Sequence, residues 1–185
     1  MGNTGILIDI QDGQVKETNY GVLTAAAGGN GEKIALILND SEIDCKDDLQ
    51  KYGATKVVQL SADTPVNADP EAQGKAIAEA VKNFGIDILI GLSTAKGKDQ
   101  LARTAAELDV ACILDCSGVD LGAKSVTKSH FSGKTIASID LTGDVIVIGL
   151  RVNAIEAVES GGDAAAESFQ ASVGGAGRLQ ITEVK

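Results

Sequence analysis

Gly85-Ile86-Asp87-Ile88-Leu89-Ile90-Gly91-Leu92-Ser93-Thr94-Ala95-Lys96-Gly97-Lys98-Asp99-Gln100-Leu101-Ala102-Arg103 is the stretch on which the fold turns. Ile86 to Leu92 is apolar except at Asp87 and Gly91, the pattern of a strand buried on both faces in a parallel sheet. A polar, glycine-bearing loop, Ser93 to Asp99, is expected next. Leu101, Ala105 and Leu108 then fall at helical spacing behind Asp99, a residue suited to cap a helix. The loop is therefore expected where a strand's carboxyl end meets a helix's amino end, the usual place for ligands in open α/β sheets.

Upstream, the same alternation recurs. Thr4 to Ile10 reads as a strand, Asp12-Gly13 as a turn leading to Val15, and Asn19 to Ala27 as a short helix stopped by Gly28-Gly29-Asn30-Gly31. Ile34 to Leu38 is a second strand, followed by a short helix with Asp44, Asp47 and Asp48 near its start and Gly53 at its end. Lys56 to Leu60 is a third strand, Ser61 to Ala68 a loop, and Asp69-Pro70 a helix start. Ala76, Ile77, Ala80, Val81 and Phe84 line one face of that helix, with Phe84 in the core and Gly85 as the stop. Val110 to Leu114 is a further strand. The whole predicts an α/β fold with a doubly wound, mainly parallel sheet.

Beyond residue 116 the period becomes that of strands: Ser125 to Phe131, Thr135 to Leu141, Val145 to Val152 and Arg178 to Val184, with Gly143 in a tight turn between the second and third. This last third is expected to be an antiparallel addition to the sheet or a second layer of it. Ser160 to Ala166 reads as a loop or short bend. Residues 1–185 are read as one domain, with an alternating part over 1–116 and a mostly β part over 117–185.

Composition removes several functions. With 3% aromatics and no Trp, the core must come from Ala, Val, Ile and Leu. A net charge of −10, from 26 acidic against 16 basic residues, works against binding to nucleic acid. Cys45, Cys112 and Cys116, an odd number without a signal peptide, fit a reducing compartment, and no apolar run is long enough for membrane insertion. The expectation is a soluble intracellular protein, or a mature or truncated form of one.

Local chemistry is sparse. Ser93, Thr94, Gly97 and Lys98, with Lys96, could hold an anion at a helix start, but the pattern is neither a Walker-A loop nor a dinucleotide fingerprint. Asp99 would compete for the same amides. Arg103, four residues after Asp99, is either partner-facing or half of a surface ion pair. Cys112 and Cys116 should share a strand face and read as two small buried hydrophobes, since zinc would need more ligands than His130 can supply. His130 as a general base lacks a companion acid or nucleophile. No catalytic residue is assigned and no metal site is expected.

Taken in order, Leu23-Thr24-Ala25-Ala26, Lys51-Tyr52-Gly53-Ala54, Gly97-Lys98-Asp99 with Arg103, Phe131-Ser132-Gly133-Lys134, and Arg151 before the Ala154 to Gly162 bend and Thr182-Glu183-Val184 make the chain similar to one family. It resembles the amino-terminal domain of the electron transfer flavoprotein alpha subunit, which implies an adenine nucleotide alpha hydrolase-like form of the doubly wound fold, with antiparallel strands added in the last third. Ala102 stands where that family tends to have proline, and Asn153 where a Pro-Gly pair is usual. The resemblance implies a scaffold that packs against a beta subunit, with Arg103 and Arg151 as interface candidates. FAD would sit in a separate carboxy-terminal domain, introduced by a Ser-Gly-Gly-Arg-Gly type motif, and not be bound by this chain alone. The complex would carry electrons from flavin dehydrogenases to a membrane quinone reductase or other acceptor, in the cytoplasm of a bacterium or archaeon or in the mitochondrial matrix. The chain would be a fragment or a naturally flavinless relative. The alternative is a stand-alone nucleotide-binding module of the universal-stress type, using the Ser93 to Asp99 loop for phosphate.

Overall fold

In a computed structural model, residues 2–174 are described together with Leu179 and Glu183. The elements in chain order are β1 (Asn3–Leu7), β2 (Ile10–Gln11), β3 (Gln14–Val15), α1 (Asn19–Ala26), β4 (Lys33–Leu38), α2 (Lys46–Lys51), β5 (Lys56–Ala62) and α3 (Pro70–Asn83). Then come β6 (Ile86–Leu92), α4 (Ala95–Leu108), β7 (Ala111–Cys116), β8 (Gly118–Asp120), β9 (Ser125–His130), β10 (Thr135–Asp140), β11 (Ile146–Leu150) and β12 (Ala165–Ala171).

Among the described residues seven strands form one sheet in the order β12-β5-β4-β1-β6-β11-β7, and every neighbouring pair is parallel. The doubly wound α/β expectation holds. Chain order reverses between β1 and β6, so their carboxyl ends frame the switch-point crevice. One face of the sheet (Ile6, Ala35, Ile37, Ile90, Ile148) packs under α1, α2 and the antiparallel sheet β10-β9-β8, which contributes Val126 and Ile139. The other (Leu36, Val58, Leu89, Val147) packs under α3 and α4 through Ile77 and Leu101. Phe84 lies in this second core, edge-on to Phe169 at 5.5 Å, as its helical position predicts.

The helix signals near the middle are realised. Asp69 accepts hydrogen bonds from the amides of Glu71 (3.1 Å) and Ala72 (3.3 Å), with Pro70 opening α3. Gly85 leaves it at φ +57°.

Several expectations are corrected. The first strand ends at Leu7, and Ile10 instead starts a hairpin whose turn, Asp12-Gly13, has φ of +52° and +73°. β11 is not antiparallel: it fills the slot between β6 and β7, both parallel to it, because Ile146 to Leu150 is buried on both faces. Gly143 joins strands of different sheets, so it makes no hairpin. The hairpin turn lies at Phe131-Ser132-Gly133, all with positive φ, between the paired β9 and β10. The supposed bend Ser160 to Ala166 runs into β12, which pairs in parallel with β5 at the far edge. Of the strand expected at Arg178 to Val184, all but Leu179 and Glu183 lies outside the described residues.

Candidate functional site

Of the segment from Ser93 to Asp99, only Ser93 and Thr94 lie outside a helix or strand. α4 begins at Ala95, and Thr94 is its cap: the Thr94 hydroxyl accepts from the Gly97 amide at 3.0 Å. Asp99, expected to cap, sits a turn inside the helix. The shift has a steric cause. At Gly97 a Cβ would stand 2.0 Å from the Leu92 carbonyl oxygen, so only glycine lets the first turn press against the end of β6.

At the switch-point crevice the opposing group is Asp9, just beyond β1 and only 6% exposed. Its carboxylate accepts from Lys16 Nζ at 3.1 Å and from the Thr94 hydroxyl at 3.3 Å. Asn19, fully buried at the start of α1, ties the turn down. Its side chain accepts from the Asp9 amide (2.9 Å) and donates to the Asp9 (2.9 Å) and Lys16 (2.8 Å) carbonyls. A buried carboxylate thus occupies the place before the α4 amino terminus, where the helix dipole favours negative charge. A phosphate would meet repulsion from Asp9 and find Lys16 already paired, so these residues do not fit a nucleotide or flavin diphosphate. Asp9, Lys16 and Asn19 went unnoticed in the sequence, although an acid ending an apolar strand was a visible signal.

A second cluster lies at the carboxyl ends of β6, β7 and β11. The Ser93 hydroxyl accepts from the Asp115 amide at 2.8 Å, and Ser93 donates its own amide to the Leu150 carbonyl at 2.6 Å. The Asp115 carboxylate takes Arg151 at Nε (3.3 Å) and Nη2 (2.8 Å), and Nη2 also reaches the Ser129 hydroxyl at 3.1 Å. The Arg151 hydrogen bond holds the Asp115 carboxyl below its ordinary range against the opposing effect of burial, with further attraction from Arg151, Lys98 and Lys128. Asp115 and Ser129 were missed in the sequence, because nothing local marks them as partners of Arg151.

Arg103 is held elsewhere. Its Nε lies 3.0 Å from both Asp99 oxygens, and its backbone packs against α3, where a Cβ on Gly74 would fall 2.6 Å from Arg103 Cβ. Arg103 and Arg151 share no partner among the described residues. The cysteines do not share an environment: Cys116 is buried but Cys112 is exposed, because Asp115 at φ +63° breaks the strand's alternation between them. Burial pushes the Cys45 and Cys116 thiols up to about 11, away from nucleophilic chemistry at neutral pH. His130 is exposed at the end of β9, with its ring centroid 6.4 Å from that of Phe131. Among the described residues no helix is long and apolar enough to cross a membrane.

The family model for the electron transfer flavoprotein domain matches residues 4–184. The chain is similar to the electron transfer flavoprotein subunit alpha of Bacillus subtilis, 28% identical over 160 residues, covering 83% of this chain and 49% of the relative. The corresponding Syntrophomonas wolfei subunit is 23% identical over 164 residues, with 88% and 52% covered. A probable mitochondrial alpha subunit of Caenorhabditis elegans is 23% identical over 169 residues, with 91% and 51% covered. The chain spans about half the length of these curated relatives.

Proposed function

Because the chain belongs to the electron transfer flavoprotein domain family, matched over residues 4–184, we propose that it is the amino-terminal domain of an alpha subunit, a scaffold and subunit interface rather than a flavin site. Residues 1–185 act as one domain in this reading. The observation that carries it is the crevice between β1 and β6. Asp9, Lys16, Asn19 and Thr94 satisfy one another there, so the ligand position of the fold is used to brace the sheet. The same closure disfavours the universal-stress alternative, which needs that crevice for phosphate.

In the whole subunit FAD would be held by residues outside this chain, and the redox chemistry would be the cofactor's. The partner is a beta subunit, with Arg103 and Arg151 at or near the contact. Arg151 is the better placed, because Asp115 and Ser129 fix its guanidinium at the sheet's carboxyl edge. Flavin dehydrogenases would supply electrons and a quinone reductase or other acceptor would take them. The compartment would be the bacterial or archaeal cytoplasm or the mitochondrial matrix, following the host.

The test is the visible absorption spectrum of the purified chain before and after FAD is added and the sample desalted. A colourless protein that also retains no AMP or ATP is the expected result. Retained yellow colour would overturn the scaffold reading, and stoichiometric nucleotide would favour the alternative.

A further inference from the structure

The antiparallel sheet ends in an unprotected edge. β10 is its outermost strand, and among the described residues nothing pairs with its outer side. Its sequence, Thr135-Ile136-Ala137-Ser138-Ile139-Asp140, has β-branched Thr135, Ile136 and Ile139 and carries no charge before Asp140. Proteins usually guard such an edge with an internal charge, a proline or a bulge, and this strand has none of these. Ile136 is 73% exposed, and Phe131 at the hairpin tip is 78% exposed at φ +50°, an uncommon conformation for a bulky residue. Both are large apolar groups standing in water.

We propose that β10 is a homodimer edge, pairing antiparallel with β10 of a second copy of this chain to make one continuous six-stranded antiparallel sheet. Charge selects this occupant. Lys134 precedes the strand and Asp140 closes it, and among the described residues neither joins an ion pair. With Ala137 opposite its own copy, Lys134 of each chain faces Asp140 of the other, and Thr135 faces Ile139. Residues 134, 136, 138 and 140 share one face, so the two Ile136 side chains become diagonal neighbours between the two ion pairs. An antiparallel pair of identical strands is two-fold symmetric, so the contact closes as a dimer and does not propagate. The inference needs only this edge and is independent of the flavoprotein reading.

Light scattering coupled to size exclusion tests it with the 185-residue chain. At about 100 μM the expected mass is twice 18.9 kDa, falling toward 18.9 kDa on dilution. Lys134→Asp should weaken the dimer about tenfold or more, since like charges then face each other twice. Adding Asp140→Lys to that variant should restore the dimer, because the pairs re-form with reversed sign. Both sites are exposed, and an unchanged circular dichroism melt would confirm that folding is intact. A chain that stays monomeric at every concentration overturns the proposal, as does binding of this edge only to a beta subunit. A dimer indifferent to Lys134→Asp, or a double variant that fails to recover, overturns it too.

Discussion

Gly97 shows how a single residue sets the site. Its missing side chain lets Thr94 cap α4 directly after β6, which in turn aims the Thr94 hydroxyl at Asp9. Gly97→Ala would push a methyl onto backbone, the Leu92 carbonyl, which cannot swing away. The expected loss is about 2–3 kcal/mol in denaturant unfolding, well beyond the gain in helix propensity. Arg151 makes a different prediction. It lowers the Asp115 pKa below the ordinary aspartate value of about 3.9, so the pair's stabilisation is complete above that value. It is lost as pH falls through the lower, folded-state value. Since both side chains are over a third exposed, solvent screening keeps the contribution small. An NMR titration should find Asp115 titrating below a reference aspartate, and Arg151→Gln should move it upward. An unmoved titration would show that Lys98 and Lys128 dominate instead.

At the scale of elements, what the sequence states locally is what the structure keeps. Asp69-Pro70 and Gly85 bound α3 where their chemistry says, and Asp69→Ala should cost about 1–2 kcal/mol by leaving the Glu71 and Ala72 amides without their acceptor. Thermal or urea unfolding of that variant measures it. A change below about 0.5 kcal/mol would mean that Pro70 and water suffice as the cap. The α4 start was harder to read because two caps, Thr94 and Asp99, stand five residues apart, and the choice depends on the Gly97 contact with β6, which is tertiary. The run Ile146-Val147-Ile148-Gly149-Leu150 carries the sign of burial on both faces in its lack of alternation, although it is expected above as part of an antiparallel addition. Phe169 and Ala171 in β12, with Val173 just beyond it, keep a strand period too, but Glu167, Ser168 and Gln170 make an exposed edge look like a loop.

Over the whole molecule, the chain leaves β11 near one edge of the sheet and crosses to β12 at the other, a path no local pattern encodes. The crossing is held by tethers: Val158 donates to the Thr24 hydroxyl at 2.9 Å, and the Ser160 and Gly161 amides both donate to the Lys51 carbonyl at 3.0 Å. Past β12, Asp63 accepts from the Val173 amide (3.0 Å) and the Ser172 hydroxyl (3.3 Å), while Glu79 accepts from the Ser172 amide (2.7 Å). Among the described residues β12 has a strand neighbour on one side only, so its stability depends on these ends more than that of β4 or β6, which are paired on both sides and buried. Local opening should therefore begin at β12. Asp63→Ala leaves the amide of the buried Val173 without an acceptor, a loss of about 1–2 kcal/mol confined to that edge. Hydrogen exchange would then quicken about tenfold in Ala165–Ala171 while Lys33–Leu38 stays unchanged. Equal acceleration in both would mean that β12 opens only with the whole sheet, and that the crossing segment is part of the cooperative core.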